Sequence, residues 1–167
     1  MEYAHLSKTV GIKTVSEDRH NGVFEIEGLY RGYGLTLGNA LRRVLISSLP
    51  GAAVTQLKIK NVHHEFSTLA GIKEDITELS LNFKKIRFAV HADQPKVLLL
   101  KIKGQKTVVA GDIKPDAEVE IINPEVTLAI LTAKNAELEV EITVERGLGY
   151  STVESRKAEK LPIGVIA

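Results

Sequence analysis

The chain has 167 residues, enough to bury a core as one domain or two small ones, and its 44% hydrophobic and 26% charged content suits an ordinary globular protein. A net charge of +1, from 22 Lys and Arg against 21 Asp and Glu, argues against a DNA-reading surface, which needs a concentration of basic groups. The absence of cysteine excludes a disulfide framework and cysteine-ligated metal and fits a cytoplasmic setting. No apolar run approaches the roughly 18 residues of a membrane span, and residues 1–11 lack the basic-then-apolar pattern of a secretory signal.

Two strands are expected first, over residues 10–15 and 23–26. They flank His20-Asn21-Gly22, where Asn-Gly suits a type I′ hairpin turn. A helix follows over residues 37–49, with Thr36 as its cap and Pro50-Gly51 as its stop. At 100° per residue, Leu37, Leu41, Val44, Leu45 and Leu49 form one apolar stripe, with Tyr33 just ahead of it. Asn39, Arg43 and Ile46 form a second face, with Arg42 near its edge. An isoleucine between an amide and a guanidinium, turned away from the main stripe, implies that this face is covered too. Such a helix sits between partners.

Residues 53–60 alternate as a strand. Ile72, Ile76, Leu79 and Phe83 then step by four, three and four, a helical period. Short strands are expected at 86–90, 97–102, 107–109, 118–122, 127–131 and 137–144, separated by turns at Asp93-Gln-Pro95, Lys103-Gly104 and Lys114-Pro115-Asp116. Leu138, Val140, Ile142 and Val144 alternate with polar neighbours, one face for a core and one for water. The pattern predicts an α+β fold with mostly antiparallel sheets and two main helices. Pro50-Gly51 is a natural boundary between residues 1–50 and 51–167.

Chemistry-bearing clusters are few. Gly32, Gly34 and Gly38 precede and enter a helix, so an anion-binding turn is one reading. Their G-x-G-x-x-x-G spacing is not the dinucleotide fingerprint, however, and a tight turn, with Gly38 admitting a neighbouring backbone, explains them better. His63 and His64 are adjacent, point to opposite faces on a strand, and suit a surface role rather than a metal. No serine lies in a nucleophile elbow. Lys96, Lys101, Lys103 and Lys106 read as a solvated sheet face or guarded edge. No catalytic residue, cofactor or metal site is expected. An interface role for Arg42 and Arg43 competes with that of a plain solvated stripe; the company of Asn39 and Ile46 favours the interface.

Arg31-Gly-Tyr-Gly-Leu-Thr-Leu-Gly-Asn-Ala-Leu-Arg-Arg43 resembles the assembly helix in the N-terminal domain of bacterial RNA polymerase alpha subunits. His64-Glu-Phe-Ser-Thr68, Gly71-Ile-Lys-Glu-Asp-Ile76 and Leu81-Asn-Phe-Lys84 resemble the same family's next helix and its approach. Gly111-Asp-Ile113, Val119-Glu-Ile-Ile-Asn-Pro124, Glu145-Arg-Gly-Leu-Gly-Tyr150 and Pro162-Ile-Gly164 follow in family order. The resemblance implies a scaffold subunit of DNA-directed RNA polymerase, itself non-catalytic, in a nucleotidyltransferase complex. It implies that residues 1–50 are the first half of a dimerisation domain completed by chain returning after residue 167, and that residues 51–167 are an inserted β-rich domain. It implies a homodimer through Tyr33, Leu37, Leu41, Val44 and Leu45. Large beta and beta-prime subunits would meet Asn39, Arg42, Arg43 and Ile46 on the first helix and Glu78 and Lys84 on the second. Two other readings are a phosphate- or nucleotide-binding protein using Gly32–Gly38 and a generic β-rich interaction module.

Overall fold

The structure, a computed structural model, describes residues 10–18, 20–114, 116–152, 162 and 164–167. The chain divides into two compact units, residues 1–46 and 47–167. The expected turn at Lys114-Pro115-Asp116 and the motif Pro162-Ile163-Gly164 each include a residue outside the described set, and the leader reading rests largely on residues 1–9, also outside it.

In the first unit, strands β1 (Gly11–Glu17) and β2 (Gly22–Glu27) pair antiparallel, from Gly11 opposite Glu27 to Glu17 opposite Gly22. The connection differs from the expected type I′ turn, since neither Asn21 nor Gly22 takes a positive φ. A longer loop closes instead on Asp18, whose Oδ1 accepts the backbone N–H groups of His20 and Asn21, each at 2.8 Å. Those two donors hold the Asp18 carboxyl below its ordinary pKa. Helix α1 (Tyr33–Ser47) follows. It starts four residues before the expected boundary, after Gly32 at φ +87°, so Thr36 lies inside the helix rather than capping it. At its far end α1 stops at Ser47, two residues short of the expected boundary, so Pro50 and Gly51 do not end the helix; they are the first residues of β3 (Pro50–Ile59), a position that tolerates proline.

The second unit is built on a four-stranded antiparallel sheet in the order β10-β3-β9-β5. Here β5 is Lys96–Lys103, β9 is Glu137–Leu148 and β10 is Val165–Ile166. Leu138, Val140, Ile142 and Val144 are fully buried, as their alternation requires. Outward from the same strand, Glu137, Glu139 and Glu141 meet lysines of both neighbours. Lys58 reaches Glu141 at 3.0 Å, Lys60 reaches Glu139 at 3.0 Å, Lys101 reaches Glu139 at 3.2 Å and Lys103 reaches Glu137 at 3.2 Å. The strand β9 continues four residues past its expected end because Glu145–Leu148 pair with Pro50–Ala53.

Helix α2 (Ile76–Phe83) closes the core by burying Ile76, Leu79 and Phe83. Two-stranded sheets complete the unit: β4 (Phe88–Val90) with β7 (Val119–Ile121), and β6 (Lys106–Val109) with β8 (Thr127–Leu131). The helix is shorter than its period suggested. Residues 72–74 lie along β8: Ile72 bridges Leu131, the Lys73 N–H donates to the Ile130 carbonyl at 3.0 Å, and the buried Glu74 carboxylate accepts the Ile130 N–H at 2.8 Å. Asp75 then caps α2, its Oδ1 accepting the Glu78 N–H at 2.6 Å. The approach to this clasp needs Gly71, whose φ is +79° and whose absent Cβ would fall 2.9 Å from that of Ala136.

Candidate functional site

Each residue expected at the homodimer or large-subunit interface lies on one of the two helices or, for Lys84, at the C-cap of α2. Along α1, Tyr33, Leu37, Leu41, Val44 and Leu45 share one side, and Asn39, Arg42, Arg43 and Ile46 occupy the other. None of the fifteen residues of α1 is buried. Leu41, Val44 and Leu45 are about half exposed, and Leu37 is the only intermediate residue among the five. On the second face Ile46 is 62% exposed and Arg42, Arg43 and Asn39 are exposed. An amphipathic helix normally hides one side; α1 leaves two apolar surfaces open.

The early start of α1 adds a residue that the sequence reading missed. Leu35 lies one helical turn before Asn39 and three before Ile46, on the same face, and is 84% exposed. Its spacing of four, seven and eleven residues to Asn39, Arg42 and Ile46 carried the signal, but a helix begun at residue 37 leaves it out. The second face therefore holds two aliphatic side chains framed by an amide and two guanidinium groups. The same start bears on the glycines. Gly34 and Gly38 sit within α1, leaving Gly32 alone in the preceding turn, so the three do not form a phosphate-cradling loop. A Cβ added at Gly38 would meet nothing within 4 Å among the described residues beyond its chain neighbours and the helix's own backbone.

On α2, Thr77, Glu78, Leu81 and Lys84 point outward, opposite the buried Ile76, Leu79 and Phe83. Glu78 stands in the first turn and Lys84 at the C-cap, which places each charge at the helix end whose dipole favours it. Lys84 also lines, with Ser80, Val54, Leu57, Leu148 and Ile166, a cavity of about 550 Å³ in the second unit. The two helices belong mainly to different units, so the expected large-subunit residues are divided between the first unit and the second.

Residues 57–167 match the RNA polymerase Rpb3/RpoA insert domain family. The chain belongs to that family. Three relatives extend the likeness across nearly the whole chain. The DNA-directed RNA polymerase subunit alpha of Symbiobacterium thermophilum is 53% identical over 157 residues, covering 93% of this chain and 50% of the relative. That of Alkaliphilus metalliredigens is 48% identical over 94% of this chain and 50% of its own length. The Bacillus velezensis subunit is 48% identical over 91% of this chain and 48% of its own. The chain spans about half the length of these relatives. Within the insert-domain family match lie all of α2 and the strand β8 it packs on, whereas α1 and most of β3 fall in the part matched by the alpha-subunit relatives alone.

Proposed function

We propose that this chain is the N-terminal scaffold portion of a bacterial DNA-directed RNA polymerase alpha subunit. Its role in DNA-templated transcription is to dimerise and to seat the large beta and beta-prime subunits in the cytoplasm, without catalytic groups of its own. Residues 1–50 supply the first half of the dimerisation domain and residues 51–167 the inserted domain. The observation that carries this reading is α1: a well-formed helix with an apolar stripe on one side, an aliphatic and guanidinium face on the other, and no buried residue. Exposed apolar surface of that extent belongs to a protein that is completed by others. The stripe of Tyr33, Leu37, Leu41, Val44 and Leu45 is assigned to a two-fold homodimer seam, since one amphipathic helix near an axis complements itself readily. Asn39, Arg42, Arg43 and Ile46, together with Glu78 and Lys84 on α2, are assigned to the large subunits.

Arg43→Ala, placed in the full-length subunit, tests the division between the two faces. Dimerisation and folding are expected to stay intact while affinity for the large subunit falls by about 2 kcal/mol or more, as for a central interface arginine. Co-elution with co-expressed large subunit and sedimentation of the free dimer read the two effects separately. Unchanged recruitment would show that Arg43 faces no large subunit.

A further inference from the structure

Phe66 is 81% exposed, an unusual position for a phenylalanine in a unit whose other aromatic rings, Phe83 and Phe88, are buried, Tyr150 apart. The backbone that carries it is held firmly. The Ser67 N–H and Oγ both donate to the His64 carbonyl, at 3.3 and 2.6 Å, closing a tight turn around Phe66. That turn is tied to α2 on both sides of the phenylalanine: Thr77 Oγ1 donates to the Glu65 carbonyl at 3.0 Å, and the Ile76 N–H donates to the Ser67 carbonyl at 3.2 Å. Thr77 begins the outward column of the helix, and Leu81, 55% exposed, stands one turn further along it. An exposed aromatic on a fixed turn and an exposed leucine thus share the outer surface of α2 and its approach.

The charges around this surface are ordered too. Glu65 and Glu78 lie at the Phe66 end, and Lys84 and Lys85 at the other. Among the described residues Glu65 and Glu78 form no ion pair, whereas Glu137, Glu139 and Glu141 on the main sheet are all matched by lysines. Two unmatched carboxylates beside an exposed ring repel a phosphate backbone and suit a cationic protein surface.

We propose that Phe66, supported by Leu81, is the apolar anchor by which the outer surface of α2 docks a second protein, one that presents an apolar pocket flanked by lysine or arginine at the Phe66 end. This deepens the scaffold reading and rests on it: the partner is one of the large subunits, and the dipolar charge pattern fixes the direction in which α2 is laid down. The turn through Ser67 and Thr77 fixes the backbone around the ring before binding, so little backbone freedom is lost when the ring inserts.

The test uses the full-length subunit with its large subunits. Phe66→Ala is expected to weaken their equilibrium association about thirtyfold or more, the range of a central anchor, while melting temperature and homodimerisation stay at wild-type values because the ring is exposed. Glu78→Lys is expected to slow association at low ionic strength, with the difference closing as salt is added. Wild-type affinity in Phe66→Ala, with Arg43→Ala weakened in the same assay, would overturn the anchor and leave the scaffold reading standing. A wild-type subunit that binds no large subunit would overturn both. A loss of dimerisation in Phe66→Ala would also overturn the proposal, since it would place the ring in a seam between copies.

Discussion

Gly38 is where the residue scale gives the sharpest contrast between this chain and the assembly proposed for it. A glycine inside a helix costs about 0.5–1 kcal/mol relative to alanine, and a methyl group at Gly38 meets nothing described beyond its chain neighbours and the helix's own backbone. Gly38→Ala should therefore raise the helicity of this chain, measured by circular dichroism. If Gly38 admits the backbone of a partner, the same substitution in the full-length subunit should weaken assembly about tenfold or more. Assembly at wild-type strength would show that no partner backbone lies there. The identity of the α1 faces was legible from residue spacing alone. Leu35 was not, because two local signals misplaced the helix start: Thr36 is a good cap residue, and Gly34 is a poor helix former that is nonetheless helical here.

At the scale of elements, α2 shows how a period can mislead. Ile72 fits the helical spacing with Ile76, Leu79 and Phe83, and it does pack against the core, yet it gets there through pairing with Leu131 on β8. Burial periodicity registers which side chains go inward, not the backbone that carries them. The discriminating signal was Asp75 with Glu78 three residues later, a helix-start signature. Asp75→Ala should cost the chain about 1 kcal/mol in urea unfolding, the usual loss for a carboxylate cap; no change would mean that the clasp of Lys73 and Glu74 on β8 positions the helix unaided. Strand β9 was far more legible because its alternation is strict. Its outward glutamates also give the sheet a pH dependence. Side-chain hydrogen bonds from Lys60 and Lys101 hold Glu139 below its ordinary pKa, and one from Lys103 does the same for Glu137. A carboxylate depressed in the folded state adds stability that is present above its unfolded value of about 4.3 and is lost as pH falls through the folded one. Thermal unfolding followed across that acid range should show a steeper loss for wild type than for Glu139→Gln, which has no such charge to lose. Parallel profiles would mean that solvent screening cancels the ladder.

For the whole molecule the contrast lies between a unit with a core and one whose described residues form none. Residues 47–167 bury a continuous cluster from Leu57 to Ile166, including Phe83, Leu100, Leu128 and Ile142, all fully hidden. In the first unit no described residue is buried, and Ile26, Leu29 and Leu37 alone reach the intermediate class. Its described parts are a two-stranded ribbon and a helix of 15 residues, each marginal in water without packing. At about 25 cal/mol per Å² of apolar surface, covering a few hundred Å² of the α1 stripe would contribute several kcal/mol, comparable to the stability of a whole domain. Hydrogen exchange of this chain as a monomer should therefore find amides of β9, β5 and α2 strongly protected and those of α1 and the hairpin close to unprotected rates. In the proposed full-length dimer, protection of α1 should rise toward that of the sheet if the seam supplies the missing cover. Equal protection of both units in a strictly monomeric sample of this chain would sink the argument: the stripe would then need no partner, and the open faces of α1 would lose their bearing on assembly.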